Sequence, residues 1–205
     1  MPQYTKNPPL TERDLSPDPL AQIEAWIADA QSAGMQEPTA MTLATVAGGK
    51  PSARIVLFKG MHDGHLTFYT NYTGRKGREL ERNAHAALVF WWDKLERQIR
   101  VEGSVEKLSA VLSQEYFATR PRASQLGAVA SAQSAPIATR EALDAQLDAV
   151  TRQYENQPVP RPAHWGGYGL KPQVIEFWQG RRDRLHDRIV YTRSGAQWTT
   201  QRLQP

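Results

Sequence analysis

The chain has 205 residues, 40% of them hydrophobic, enough for one sizeable core, so a single domain over residues 1–205 is expected. It has no cysteine, which excludes disulfides and thiolate metal sites, and no apolar run near the ~20 residues of a membrane span; with a polar, proline-rich start from Met1 to Pro9, a cytoplasmic protein without membrane or metal is expected. Lysine and arginine outnumber aspartate and glutamate by 25 to 21, a balance that attracts anions.

Residues 1–17 are proline-rich and lack periodicity, which predicts a flexible arm, ordered only where something holds it. Asp18-Pro19 then opens a helix, with Asp18 as its cap and Leu20, Ile23, Ile27 and Ala30 as its apolar stripe, and Gly34 can end it. From Ala40 the period changes to two. Residues 40–46, 53–59, 66–70, 86–92 and 98–105 read as strands, with turns at Gly48-Gly49, Asp63-Gly64 and Asp93-Lys94. Gly74-Arg75-Lys76-Gly77 interrupts the series and starts a short helix running through Arg82.

Helical spacing returns over residues 107–154, where Ser109 caps one helix, Pro121 starts another, and Leu143, Leu147, Val150 and Tyr154 line a third. The stretch from Pro158 to Pro162 is a stiff connector. Strands resume at 168–170, 174–178, 188–192 and 197–203, the last two joined at Ser194-Gly195. Hairpin-length links imply antiparallel pairing and enough strands to close a barrel. The fold class expected is mainly β with α, the helices lying at the N-terminus and inserted between barrel strands.

The basic residues fall in short separate groups, Arg75-Lys76, Arg120–Arg122 and Arg181–Arg188, which suits compact phosphate contacts better than a nucleic-acid partner. There is no glycine-rich nucleotide loop, so a nucleotide-like cofactor would be held by side chains. Tyr69-Thr70 at a strand end and Arg75-Lys76 at a helix start could bring a hydroxyl, a guanidinium and an ammonium together on a phosphate; the alternative is an exposed basic helix start. After Gly180, if residues 184–188 resume a strand, Arg184, His186 and Arg188 share one face while Leu185 and Asp187 take the other. That face would suit an anion, or it could be a solvated edge strand.

Ile175-Glu176-Phe177-Trp178-Gln179, four residues, then Arg184-Leu185-His186-Asp187-Arg188 resembles the C-terminal signature of the pyridoxine (pyridoxamine) 5'-phosphate oxidases without a gap. The resemblance runs from about Tyr4 to the C-terminus. It implies an antiparallel split β-barrel of the FMN-binding type. It further implies a homodimer with the flavin at the subunit interface, residues 166–205 carrying the substrate and dimerisation region. FMN contacts are implied for Arg54, Ile55, Val56, Leu57, Phe58, Lys59, Tyr69, Thr70, Arg75, Lys76, Gln98, Gln133, Ser134, Trp178 and Arg188.

The substrate phosphate is assigned, by the same resemblance, to Lys59, Tyr116, Arg120 and Ser124. Tyr116 and Arg120 are four apart, on one face if the helix continues, and Pro121 restarts the chain; Tyr116 could also be a plain core tyrosine. Arg184 and His186 are the implied catalytic residues, with Leu185 and Tyr4 also at the substrate. The reaction implied is oxidation of pyridoxamine or pyridoxine 5'-phosphate to pyridoxal 5'-phosphate, with hydride passing to the flavin and O2 reduced to H2O2. Two positions depart from the family: Met1 stands where relatives often carry arginine, and Glu37 where some carry aspartate. The rival readings are a flavin oxidase acting on another ring, as in the phenazine-pathway relatives, and a non-catalytic binder of flavin or pyridoxal phosphate.

Overall fold

The computed structural model describes residues 4–205; Met1 lies outside them. Strands β1 (Ala40–Ala47) and β2 (Lys50–Leu57) form a hairpin. Gly48 and Gly49 both take positive φ, 58° and 73°, the two-residue turn whose twist matches its strands and which glycine allows at least cost. β3 (Met61–His62) and β4 (His65–Asn71) form the next pair, and β5 (His85–Trp92) and β6 (Arg97–Lys107) a third. After the helices come β7 (Trp165–Gln179), β8 (Asp187–Ser194) and β9 (Gln197–Leu203).

All nine strands among the described residues belong to one antiparallel sheet, in the order β2-β1-β5-β6-β7-β4-β3, with β8 joined to β7 and β9 to β8. The first part of β7 pairs with β4, from Trp165↔Asn71 to Leu170↔Leu66, and the last part pairs with β8, from Val174↔Thr192 to Gln179↔Asp187. The chain leaving β2 returns to β4, Lys59 N–H donating to Thr67 O at 2.9 Å and Thr67 N–H to Gly60 O at 3.0 Å. The sheet therefore closes on itself and splits where β7 exchanges β4 for β8, the expected antiparallel split barrel.

Alternation along the strands decides what lies inside. Phe90, Leu88, Ile99, Val101, Phe177, Ile175, Ile189 and Tyr191 face inward and are buried, each side chain contributing about 1.5–3 kcal/mol by leaving water. The intervening residues of the same strands face outward. α1 (Pro19–Ser32) covers this core, its N-cap Asp18 accepting the Leu20 N–H at 3.0 Å. Its largest contribution is Trp26, edge-on to Phe177 with ring centres 5.1 Å apart, a residue absent from the predicted stripe.

One expected break is not there. Residues 168–170 and 174–178 belong to the single strand β7, although Pro172 reads as a punctuation mark. The register against β6 slips between Glu102 and Gly103, and such a bulge is where a strand tolerates proline. Gly103 is needed there, since a Cβ would sit 2.0 Å from Lys171 O.

The inserted helices are α2 (Arg75–Arg82), α3 (Ala110–Thr119), α4 (Arg122–Ala130) and α5 (Arg140–Gln153). Ser109 caps α3 through the Leu112 N–H at 3.2 Å. Phe117, Leu126, Val159 and Trp165 form a second, smaller core, against which Tyr116, Val150 and Tyr154 pack. From Tyr4 on, the N-terminal arm lies along the sheet: Leu10 and Leu15 are buried, the Leu10 N–H donates to Asp187 Oδ2 at 2.9 Å, and Gln179 Nε2 donates to Pro8 O at 2.9 Å.

Candidate functional site

A cleft of about 480 Å³ opens between β2, the end of β4, the start of α2 and the α3–α4 junction. It gathers most of the residues predicted for two separate tasks. Ile55, Val56 and Leu57 from β2, with Tyr69, Thr70, Lys76 and Gln133, line one part; Lys59, Tyr116, Arg120 and Ser124 line the other. Arg54, Arg75 and Ser134 border an adjoining hollow of about 250 Å³ that shares Lys76 with the cleft. Phe58 is the exception: it is buried and packs edge-on to Phe90 at 5.9 Å, because alternation turns it inward, so its side chain has no place in the site.

The cationic end is built on the start of α2. Gly74 leaves that terminus without a side-chain cap, and Ser134 supplies one from the far loop, its Oγ accepting the Arg75 N–H at 3.1 Å. Lys76 Nζ donates to Gln133 Oε1 at 2.7 Å and to Thr70 Oγ1 at 3.1 Å. Burial, helped by the nearby Arg54 guanidinium, lowers the Lys76 pKa, with Glu79 opposing; an anion placed here would restore the favoured charged form.

At the other end, Tyr69 and Tyr116 stack at 3.7 Å, and Trp165 lies parallel to Tyr116 at 6.2 Å. Tyr116 is thus part of the stack and lines the cleft as well. Arg120 lies over the Trp165 ring, 4.6 Å from its centre, and its Nη1 is buried with no hydrogen-bond partner among the described residues. Burial lowers its pKa. A buried guanidinium N–H without an acceptor is costly, about 1–3 kcal/mol or more, and its position at a cleft wall marks a place for an anion.

The remaining predicted residues lie elsewhere. β-Sheet register aligns Trp91, Gln98, Trp178 and Arg188 in one row across β5, β6, β7 and β8, on the face opposite the core. None of the four lines the cleft. Arg188 donates to Glu176 from Nε at 3.2 Å and from Nη2 at 2.9 Å, and its Nη1 donates to Gln204 O at 2.9 Å; these bonds to Glu176 raise its pKa.

Residues 184–188 do not resume a strand as expected. β8 begins only at Asp187, and Arg182–Arg184 form a 3-10 turn in which Asp183 and Arg184 take left-handed φ of 57° and 62°. The shared face predicted for Arg184, His186 and Arg188 therefore does not exist; a turn cannot alternate sides. Leu185 is 70% exposed. His186 is held instead by its neighbours: its ring lies 4.7 Å from Trp178 and 5.6 Å from Tyr4, and its Nδ1 accepts the Arg181 N–H at 3.1 Å. Burial and then Arg184 lower its pKa below the ordinary 6.5, against the pull of Asp187. The ring is neutral at pH 7 with its proton on Nε2. A second hollow of about 270 Å³ runs beside it, bordered by Tyr4, Asn7, Arg181, Arg182 and Leu185.

Two residues of these sites carry no role in the sequence reading. Trp165 shows no local signal. Glu79 does: it stands four residues after Arg75, the spacing of a helical ion pair, and the two meet at 2.9 Å.

A family model described as pyridoxamine 5'-phosphate oxidase matches residues 27–154, and one described as the pyridoxine 5'-phosphate oxidase C-terminal dimerisation region matches residues 165–205. The chain belongs to the pyridoxamine 5'-phosphate oxidase family. Curated relatives named pyridoxine/pyridoxamine 5'-phosphate oxidase include those of Rubrobacter xylanophilus, 53% identical over 96% of this chain and 91% of its own length, and of Herminiimonas arsenicoxydans, 54% identical over 96% and 93%. Among solved structures, PhzG of Burkholderia lata in complex with tetrahydrophenazine-1-carboxylic acid is 34% identical, with a TM-score of 0.88 over 94% of this chain and 95% of its own. A pyridoxamine 5'-phosphate oxidase-related FMN-binding protein of Nostoc punctiforme, at 18% identity and a TM-score of 0.72 over 87% and 95%, shares the fold. The chain is thus an oxidoreductase of this family, and Trp178 and Arg188 of the outward row lie in the part matched by the dimerisation region, Trp91 and Gln98 in the part matched by the other model.

Proposed function

We propose that the protein oxidises pyridoxamine 5'-phosphate and pyridoxine 5'-phosphate to pyridoxal 5'-phosphate, using FMN and O2. The observation that carries this reading is the buried, unpartnered Nη1 of Arg120 at the wall of the cleft. Lys59 and Ser124 line the same wall, so an ammonium, a guanidinium and a hydroxyl can converge on a substrate phosphate. The cationic end around Arg75 and Lys76 fits the terminal phosphate of FMN, with Thr70, Gln133 and Ser134 as polar partners and Ile55–Leu57 along the ring. The bound flavin would supply the chemistry, taking a hydride from the substrate and passing electrons to O2 to give H2O2.

The cleft and the row of Gln98, Trp178 and Arg188 belong to different parts of one chain, and a homodimer reconciles them: the row of one copy completes the cleft of the other. Ile55, 63% exposed, and Trp91, 44% exposed, are apolar surface available for that contact. Arg184 then lies over the substrate ring. His186, neutral with Nδ1 occupied, offers its Nε2–H to the substituent of the reacting carbon and acts as a donor, with no need to act as a base.

The likeness to PhzG favours a second reading, a flavin oxidase acting on a phenazine-type ring. The phosphate-sized cationic wall at Arg120 argues for a phosphorylated substrate. O2 uptake measured with pyridoxamine 5'-phosphate decides between them: turnover supports the proposal, and a flavin-loaded protein inert to this substrate refutes it.

A further inference from the structure

Behind the cations at the α2 end of the cleft lies a carboxylate that lines neither the cleft nor the adjoining hollow. Glu79 is buried, and its Oε2 accepts from Thr45 Oγ1 at 2.6 Å, Ser52 Oγ at 2.7 Å and Arg54 Nη2 at 2.8 Å, while Oε1 accepts from Arg75 Nε at 2.9 Å. Burial acts to raise its pKa, but the hydrogen bonds from Thr45, Ser52, Arg75 and Arg54 outweigh it and hold the carboxyl down at about 2. It is therefore an anion at every working pH. An anion beside a phosphate site repels the ligand, so its presence needs another reason.

That reason lies in what the two arginines have left to offer. Arg54 uses both η nitrogens on the protein: Nη1 on Thr45 Oγ1 at 2.6 Å and Leu43 O at 3.3 Å, Nη2 on Ser52 Oγ at 2.6 Å and on Glu79. It is a fixed charge. Arg75 is bound to Glu79 through Nε alone, and its side chain is 64% exposed. A long side chain that exposed samples many rotamers, and ordering it opposes binding. Tethered at Nε, Arg75 uses neither η nitrogen on another of the described residues while its orientation is set beforehand. Lys76 completes the group, and three cations against one carboxylate leave two net positive charges, matching a phosphate monoester dianion.

We propose that Glu79 is a positioning residue for the flavin phosphate: it fixes the Arg54 and Arg75 guanidinium groups in the geometry that receives that phosphate, and does not itself touch the cofactor. The inference rests on the flavin reading above. Its sign is testable because the alternatives pull apart. A carboxylate that only offset charge would, on removal, make FMN bind more tightly; one that positions Arg75 would make it bind more weakly.

Apoprotein titrated with FMN and with riboflavin, followed by quenching of flavin fluorescence, provides the test. Glu79→Gln should weaken FMN by about three- to tenfold, the range set by immobilising one long side chain, and leave riboflavin, which lacks the phosphate, unchanged. Arg75→Lys keeps the charge and loses the Nε–H; it should weaken FMN similarly, and adding Glu79→Gln to it should cost little more. Unchanged or tighter FMN binding in Glu79→Gln overturns the proposal, as does an equal loss of FMN and riboflavin, the mark of a merely structural role. If Glu79→Gln does not fold, undiminished FMN affinity in Arg75→Lys overturns it instead. Wild-type protein that binds neither flavin overturns the flavin reading, and this inference with it.

Discussion

Replacing Arg120 by methionine should separate stability from activity. Methionine keeps the length of the side chain over Trp165 but removes the guanidinium whose Nη1 is buried without a partner. Relief of that unsatisfied group is worth about 1–3 kcal/mol, and loss of the cation–π contact costs about 0.5–2 kcal/mol. The two nearly cancel, so the free protein should unfold within about 1 kcal/mol of wild type, or be slightly more stable. With substrate the account reverses. A charge-assisted bond to phosphate is worth about 1.5–3 kcal/mol, so kcat/KM for pyridoxamine 5'-phosphate should fall by roughly ten- to a hundredfold at about 1.4 kcal/mol per tenfold. Turnover of unphosphorylated pyridoxamine should hardly change. Urea denaturation and O2-uptake kinetics on the same preparation measure both quantities. A variant that loses more than about 2 kcal/mol of stability while keeping its KM for the phosphorylated substrate would refute the reasoning and make Arg120 a packing residue.

Three further expectations follow from the same geometry. His186 has a lowered pKa and uses Nδ1 as an acceptor, so the acid limb of kcat/KM assigned to it should lie below pH 6.5 and vanish in His186→Asn; a limb above 6.5 would contradict its environment. Arg184→Ala should lower kcat/KM with flavin content unchanged, whereas Arg188→Ala should weaken flavin retention and, by removing two hydrogen bonds to the buried Glu176 and leaving it the longer one from Arg100 Nη1 at 3.4 Å, cost about 1–3 kcal/mol of stability; the reverse pattern in flavin absorbance and turnover would exchange their roles. Glu79 ionises at about 2 in the folded chain against 4.5 ordinarily. The unfolded chain takes up its proton first as pH falls, so this group's stabilisation is full above pH 4.5 and is lost towards pH 2, by no more than about 3–4 kcal/mol at 1.36 kcal/mol per pH unit and less after solvent screening. Glu79→Gln should flatten that part of the acid-unfolding curve.

Much of this was legible in the residues because it rests on local rules. Gly48-Gly49, Asp63-Gly64, Asp93-Lys94 and Ser194-Gly195 placed the hairpins, and Asp18 and Ser109 placed two helix starts, since turns and caps depend on a few neighbouring atoms. The cleft residues from β2, β4 and α2 followed from an ordered set of matches rather than from any one of them. The break expected between residues 170 and 174 misled because a bulge depends on the partner strand, and nothing near Pro172 announces Gly103. Residues 184–188 misled for a related reason: period two was extended into a segment whose left-handed Asp183 and Arg184 have no glycine to mark them. The partnerships of Arg54 and Arg188 with carboxylates were hidden, since a charge's partner is chosen across the sheet and not along the chain.

β7 has a consequence for the assembled enzyme. Trp165 at its start is part of the aromatic stack beside the cleft, and Trp178 near its end belongs to the outward row; thirteen steps of about 3.3 Å place them up to roughly 43 Å apart. No single small molecule spans that length, so on the proposed reading one strand acts as a ruler between two different catalytic centres and contributes one end to each. Damage at the two ends is then separable between chains. Arg120→Met and Arg184→Ala subunits, each impaired in kcat/KM as homodimers, should regain activity when unfolded and refolded together, because the mixed dimer contains one centre with both halves intact. Random pairing predicts about a quarter of wild-type turnover, and no recovery at all would mean that each chain works alone.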